Sequence, residues 1–244
     1  MKTRSGKCGL VGLLAVLGAG CLNVSRYGTP RTTPVGEVQH SLSGELIGFR
    51  GAAQGAYRQD PDPGNYPYYY SSESGIAVDN TPTLPSYGLR VGVTERLDFG
   101  LRLPSFAAID LDLKWNFARS AWLDAALEPG VAATYYREGH FLFTSPLVLG
   151  INPSPDFSIV PAFGLAYSSD ADGNVSGDSI DRLARLEAGY LHAGLGLDFR
   201  FADFSVHPEM TMLRSFAAAG DADISWYTFG IGFGWGARPV YAQQ

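Results

Sequence analysis

Along most of the chain, large apolar residues fall on every second position. The clearest run is Ile109-Asp110-Leu111-Asp112-Leu113-Lys114-Trp115-Asn116-Phe117, five large apolar residues alternating with four charged or amide residues. A helix would scatter both classes around its circumference, whereas a strand puts them on opposite faces. Tyr87, Leu89, Val91 and Val93 likewise alternate with Gly88, Arg90, Gly92 and Thr94. Beyond a turn at 94–96, Leu97, Phe99, Leu101 and Leu103 alternate with Asp98, Gly100, Arg102 and Pro104. Leu123, Ala125, Leu127, Val131, Ala133 and Tyr135 oppose Asp124, Ala126, Glu128, Gly130 and Thr134. Residues 141–151, 157–167, 191–199, 204–212 and 227–235 continue the series more loosely. With a first strand near 36–49, the pattern predicts about 10 strands (8–12), an all-β chain. Most are long enough for the ~9–11 residues a tilted strand needs to cross hydrocarbon.

The polar face decides where the apolar one points. It mixes charge with small residues, as in Asp98/Gly100/Arg102 and Thr228/Gly230/Gly232/Gly234/Gly236. Rows of glycine suit a crowded, curved inner wall and make a poor solvent face. The other face carries Leu, Phe, Ile, Val, Tyr and Trp, which would overfill a narrow barrel. A soluble sandwich buries its apolar face; a transmembrane barrel turns it to lipid. The expected fold is therefore a single antiparallel up-and-down transmembrane β-barrel. Trp115, Trp122, Trp226, Tyr227 and Trp235 are read as interfacial aromatic belts.

Composition agrees. Aromatics are plentiful (13%) and charge is modest (17%), the reverse of a disordered chain. No run of 18 apolar residues occurs, so no helix is expected to cross a membrane, a criterion that does not apply to strands. Lys2, Arg4 and Lys7 precede a short apolar stretch and the small residues Gly18, Ala19 and Gly20, so residues 1–20 read as a signal peptide. Removing its three cations from 18 leaves 15 basic against 24 acidic residues, a mature net charge of −9. Such a chain has no electrostatic footprint for nucleic acid. Cys8 leaves with the signal, so Cys21 has no partner for an internal disulfide.

Two resemblances follow. Gly18-Ala19-Gly20-Cys21 resembles the end of a bacterial lipoprotein signal, which implies acylation of Cys21. Residues 88–103, 109–117 and 227–235 together resemble small bacterial outer-membrane β-barrel proteins. That likeness of pattern covers most of the mature chain and implies membrane lipid and lipopolysaccharide as surroundings and the barrel-assembly machinery as a transient partner. Such barrels often end on an aromatic, whereas here residues 236–244 extend past Trp235. The expected organisation is a signal (1–20), a lipid-anchored linker (21–35) in which Pro30 and Pro34 block regular structure, a barrel (36–238) and a tail (239–244). Short connections at 94–96, 119–120, 152–156 and 201–203 alternate with a second set in which 51–84, 169–182 and 215–221 are long and 104–108 and 137–139 are short. Barrels of this class keep short turns periplasmic, which would place both termini there.

Candidate chemistry is sparse. Arg90, Arg102 and Lys114 should share the lumen with Asp98, Asp110, Asp112, Asp124, Glu128, Asp198, Arg200, His207 and Glu209. This set reads either as a solute path or as a hydrated ion-pair network filling a narrow lumen, and the second is preferred because buried charges need partners in any case. His40, His140, His192 and His207 show no metal-ligand spacing, and no nucleophile motif occurs, so no cofactor, resident metal or catalytic residue is expected. The loop carrying Asp170, Asp172, Asn174, Asp178 and Asp181 has oxygen ligands at alternate positions but completes a calcium loop in neither register. Tyrosines and prolines at 57–74 form a loop with contact potential but no identifiable partner. The expected function is a non-enzymatic barrel, structural or passing and binding small solutes poorly. Alternatives are a barrel-embedded lipid-modifying enzyme, requiring converging histidine and serine, and a soluble lipocalin-like binder, requiring an inward apolar face.

Overall fold

The computed structural model describes residues 25–52, 76–106, 108–134, 140–170, 188–218, 223–237 and 239. The expected signal, Cys21, residues 57–74 and Asp172 to Asp181 lie outside them. The strands are β1 (Val38–Ala52), β2 (Ile76–Pro82), β3 (Ser86–Thr94), β4 (Leu97–Leu103), β5 (Ala108–Arg119), β6 (Leu123–Leu127) and β7 (Gly130–Thr134). They continue with β8 (His140–Ser154), β9 (Phe157–Asp170), β10 (Ala188–Arg200), β11 (Phe204–Ala218) and β12 (Asp223–Gly236). All pairings between them are antiparallel, and β12 returns to pair with β1 from Gln39↔Gly236 to Ala52↔Asp223. The sheet thus closes into a barrel at the β12–β1 seam, with β2 paired only to β1 among the described residues.

Twelve strands make ten staves. β6 and β7 occupy one position between β5 and β8, broken at Pro129, which has no N–H to give the ladder. The ladder is carried across the break by Glu128 N–H donating to Pro146 and by Leu113 N–H donating to the Pro129 carbonyl. β2 and β3 share another position, β3 pairing with Val38–Ser43 and β2 with the Leu46–Gly51 part of β1. β2 is a departure from the sequence reading, which leaves 51–84 as a connection. Pro82 and Pro85 interrupt the alternation there and hide a strand held by its partner.

Parity follows the prediction. Leu113, Leu165, Phe163 and Met210 point outward and are 45, 56, 53 and 57% exposed. Trp115, Trp122, Phe199, Phe201, Phe204 and Trp235 ring the end with the short turns, and Phe106, Phe141, Phe143, Tyr167 and Phe216 ring the other. An aliphatic band between two aromatic girdles is the exterior of a membrane-spanning barrel and is far too apolar for a water-facing surface. The soluble lipocalin-like reading is overturned by this outward apolar face. Trp226 is also a correction: it lies on the inward parity of β12, 4% exposed, and belongs to no belt.

Inside, the barrel has two tiers. Toward the long-connection rim most inward residues are apolar: Ile47, Leu142, Tyr190, Leu213, Ile224 and Trp226, with Ala108, Ala132, Ala166 and Ala188 between them, all buried, and Ser168 buried between Leu142 and Ala188. Toward the short-turn rim they are polar and charged. The polar tier is not filled by wall side chains and water alone. Residues 25–34, read from sequence as a linker, run up through it from the short-turn rim, with Ser25, Thr29, Arg31, Thr32 and Thr33 buried. The prolines do exclude regular structure, but the segment is a lumen filling. Gly36 reverses the chain into β1 at φ +76, a left-handed conformation that favours glycine. Val35 bridges Gly92, and Gly36 N–H donates to the Gly92 carbonyl.

Candidate functional site: the charged lumen and its internal plug

The wall of the polar tier carries eight inward carboxylates among the described residues: Glu45, Asp98, Asp110, Asp112, Asp124, Glu128, Asp198 and Glu209. It carries four permanent cations, Arg90, Arg102, Lys114 and Arg200. Strand parity aims every one of them inward, which is why sequence reading found eleven of these twelve and His207. Charges removed from water need opposite charges or donors, because leaving one unmatched costs several kcal/mol.

Part of that demand is met within the wall. Arg102 pairs with Asp110 at 2.7 Å, Arg90 bridges Asp112 (2.7 Å) and Glu128, and Arg200 pairs with Asp198 at 2.6 Å. His207 stands between Asp198 and Glu209, 3.5 Å from each. The rest is met by the plug. Arg26 Nη1 lies 2.7 Å from Asp110 and 3.2 Å from Asp112, while its Nη2 donates to Thr144 at 2.7 Å. Arg31 Nε donates to Asp124 at 2.6 Å and Nη2 to the Ser120 carbonyl at 2.7 Å. Backbone serves as well: Thr33 N–H donates to Asp98 at 2.9 Å, and Lys114 Nζ reaches the Arg31 carbonyl at 3.5 Å.

Glu209 shows how closely plug and wall fit. The N–H groups of Arg26 and Tyr27 both donate to its carboxylate, at 3.1 and 2.8 Å. Tyr27 takes φ +50 to do so, a left-handed conformation that costs an L-residue about 1–2 kcal/mol. Successive N–H groups converging on one anion form a concave nest, and here the anion is a side chain of the wall.

The glycines of the polar face explain themselves at the same contacts. A Cβ on Gly232 would stand 2.5 Å from the Tyr27 Cβ, and one on Gly92 would stand 2.3 Å from the carbonyl oxygens of Thr33 and Pro34. One on Gly150 would meet Pro30 at 2.7 Å, and one on Gly130 would meet Arg26 Nη2 at 2.6 Å. Larger residues at these positions would occupy the plug's volume. Two small cavities adjoin the plug: one of about 40 Å³ bordered by Arg26, Arg90, Arg102 and Lys114, and one of about 10 Å³ beside His192 and Glu209. The larger has room for a few waters, since one needs roughly 10–15 Å³.

The hydrated lumen expected from sequence is therefore corrected. Asp98, Asp110, Asp112, Lys114 and Asp124 are all 4% exposed or less because protein covers them. Sequence reasoning missed Arg26, Arg31 and Glu45. One signal was available: inward carboxylates on the predicted strands outnumber inward cations, so cations had to come from elsewhere. His40 faces outward, stacked on Trp235 with ring centroids 5.6 Å apart and its Nδ1 2.8 Å from the Tyr87 hydroxyl. Asp170 ends β9, and the rest of the weak calcium loop lies outside the described residues. Among the described residues no group of three His, Cys, Asp or Glu could hold a metal ion.

Closure, outward apolar parity and paired aromatic girdles define a membrane-spanning antiparallel β-barrel. No family model matches the chain and no curated protein does. Among solved structures it is similar to the outer membrane protease OmpT from Escherichia coli, at 8% identity over 84% of this chain and 98% of that one, TM-score 0.49. It is also similar to an outer membrane channel from Pseudomonas putida F1, at 11% identity over 88% and 100%, TM-score 0.49. A third is Ail, the attachment invasion locus protein of Yersinia pestis, at 12% identity over 82% and 99%, TM-score 0.33. Identities this low assign no activity to this chain.

Proposed function

We propose that this protein is a non-enzymatic, structural lipoprotein of the outer membrane whose barrel is closed to solutes by its own amino-terminal segment. The observation that carries the reading is the filled lumen. Residues 25–34 occupy the polar tier, and above them Leu142, Tyr190, Leu213, Ile224 and Trp226 form an apolar tier. Apolar constrictions resist hydration, so even a vacated polar tier would lead into a barrier. His207, the most enzyme-like group in the sequence, is held between two carboxylates, which suits an ion-pair network better than a proton-transfer site. Membrane lipid and lipopolysaccharide are the proposed surroundings, with the short turns periplasmic. Acylation of Cys21 is part of the proposal, and Cys21→Ser should abolish labelling by a clickable fatty acid.

The test is electrical. Purified full-length mature protein in a planar bilayer should show no steady conductance steps at moderate voltage. Stable open steps in the wild-type protein would refute closure. Retention of the closed state by Arg26→Ala/Arg31→Ala would locate a second barrier in the apolar tier.

A further inference from the structure

We infer that the larger cavity beside the plug is a binding site for one small monovalent anion of the halide class, held between Lys114, Arg90 and Arg26. The inference rests on the plug reading above, because Arg26 and Gly28 of the plug form one wall of the cavity.

Unspent donors come first. Lys114 is 3% exposed, yet its Nζ has a single acceptor among the described residues, the Arg31 carbonyl at 3.5 Å. Asp98 stands opposite it on β4 and Asp112 two residues before it on β5. Even so, no carboxylate oxygen of the described residues comes within 4.0 Å of Lys114 Nζ. Arg90 directs Nη2 to Asp112 and Glu128, and its buried Nη1 has no hydrogen-bond partner. Arg26 gives Nη1 to Asp110 and Nη2 to Thr144, while its buried Nε has none. A buried cationic N–H without an acceptor is costly, and three such groups border one space of about 40 Å³.

The border selects what can fill that space. It carries four cations, Arg26, Arg90, Arg102 and Lys114, against one carboxylate, Asp112. That carboxylate already accepts from Arg26 and Arg90. Each water placed there would bring two hydrogens that need acceptors of their own. A halide ion accepts from every side and donates to none, and its hydrogen bonds to cationic donors are of the strong, charge-assisted kind. Gln39 and Ser41 add neutral donors to the same border.

Size narrows the class further. At roughly 10–15 Å³ per water, the space takes about three water-sized bodies. That suits a monatomic ion with a companion water and is too tight for sulfate or phosphate. The tier as a whole holds more carboxylates than cations, so the attraction is local and the site should fill only at millimolar halide. Entry is from the short-turn rim. Gln39 pairs with Arg90 one step inside the Val38–Val91 pair, and the Arg90 side chain is 14% exposed. Arg26 closes the far side, so the site is a dead end and adds no conductance to the barrel.

The experiment is diffraction from crystals of the folded full chain grown in sodium bromide. An anomalous peak within hydrogen-bond distance of Lys114 Nζ and Arg90 Nη1 is expected, with residues 25–34 in the lumen. In zwitterionic detergent the folded protein should also broaden the chloride NMR line, and added bromide should reverse the broadening. Gly28→Val fills the space without removing a charge: its Cβ would meet Lys114 Nζ and the Arg26 carbonyl at 3.8 Å, ordinary contact. In a barrel that keeps its heat-dependent mobility, this variant should lose both the peak and the broadening. Should it fail to fold, Lys114→Gln takes its place, with the same losses expected. If the plug is present and the space holds only water in bromide crystals, the anion site is wrong and the plug stands. If residues 25–34 are absent from the lumen, the plug reading falls and the site with it. A bromide peak with no broadening in solution marks an adventitious ion only, and broadening that survives in folded Gly28→Val arises elsewhere; either result overturns the site.

Discussion

Replacing Arg31 by alanine separates a lumen plug from a solvated linker more cleanly than any other single change. The Arg31–Asp124 pair is 2.6 Å long, with the two side chains 4 and 0% exposed. Removing one partner of a buried pair typically costs ~3–5 kcal/mol, mostly because the remaining charge stays buried and unmatched. Asp124 would keep two donors, Asn152 Nδ2 at 2.7 Å and Ser120 N–H at 3.3 Å. The cost should therefore fall near the lower end, about 3 kcal/mol. Asp124→Asn removes the charge in place with little change of shape, so the double variant Arg31→Ala/Asp124→Asn should recover part of the loss. A coupling energy of about 2 kcal/mol is expected, within the range for contacting residues. Urea unfolding of the lipid-reconstituted barrel, followed by tryptophan fluorescence for all four members of the cycle, gives the number. A linker arginine in water would shift stability by no more than ~0.5 kcal/mol, and such a result, with no coupling, would refute the plug.

Three further outcomes follow from the same geometry. Cysteines placed from Ile109 to Phe117 should report alternately, the odd positions to a lipid-phase spin quencher and the even positions to no quencher at all; access of a water-soluble quencher to Asp110→Cys or Asp112→Cys would show an open, wet lumen. Leu113→Arg, at an outward position 45% exposed, should cost about 2–4 kcal/mol if it sits near the bilayer midplane, measured by the same unfolding assay, and a cost near zero would place that face outside hydrocarbon. Gly232→Leu should force Tyr27 out of its cradle and open Arg26 and Arg31 to trypsin in a barrel that still shows heat-dependent mobility, while Gly44→Leu, which meets no neighbouring atom within 4 Å, should leave both arginines protected.

The wall was legible because a strand has only two faces. Once Ile109 to Phe117 fixed the period, each neighbouring segment followed from the same rule, and ten staves, their short turns and the inward charges came with it. Reading failed where backbone context outweighs pattern. β2 pairs with β1 despite prolines at 82 and 85, and the β6–β7 stave survives a break at Pro129 because its neighbours carry the ladder across. Trp226 was misplaced by residue type: tryptophan suggests an interface, but parity with Thr228 puts it inside. Residues 25–34 have no period at all, and a stretch without a period is indistinguishable from a linker until its partners are known.

Those partners were nevertheless written into the wall. A barrel lined by four permanent cations and eight carboxylates would be strongly acidic inside if it held only water. Glycine at 92, 130, 150, 230 and 232 would leave it hollow beside the charges. Neither property suits a stable narrow barrel alone, since like charges repel in a low dielectric and voids forfeit packing. Arg26 and Arg31 answer the first, and Tyr27, Pro30, Thr33 and Pro34 answer the second, at the places where glycine makes room. Charge surplus and missing volume coincide in space, so the segment is a component of the fold and not an occasional visitor to an open channel. The barrel and its first ten described residues should consequently unfold in one cooperative step, with the plug's amides exchanging hydrogen no faster than those of β5.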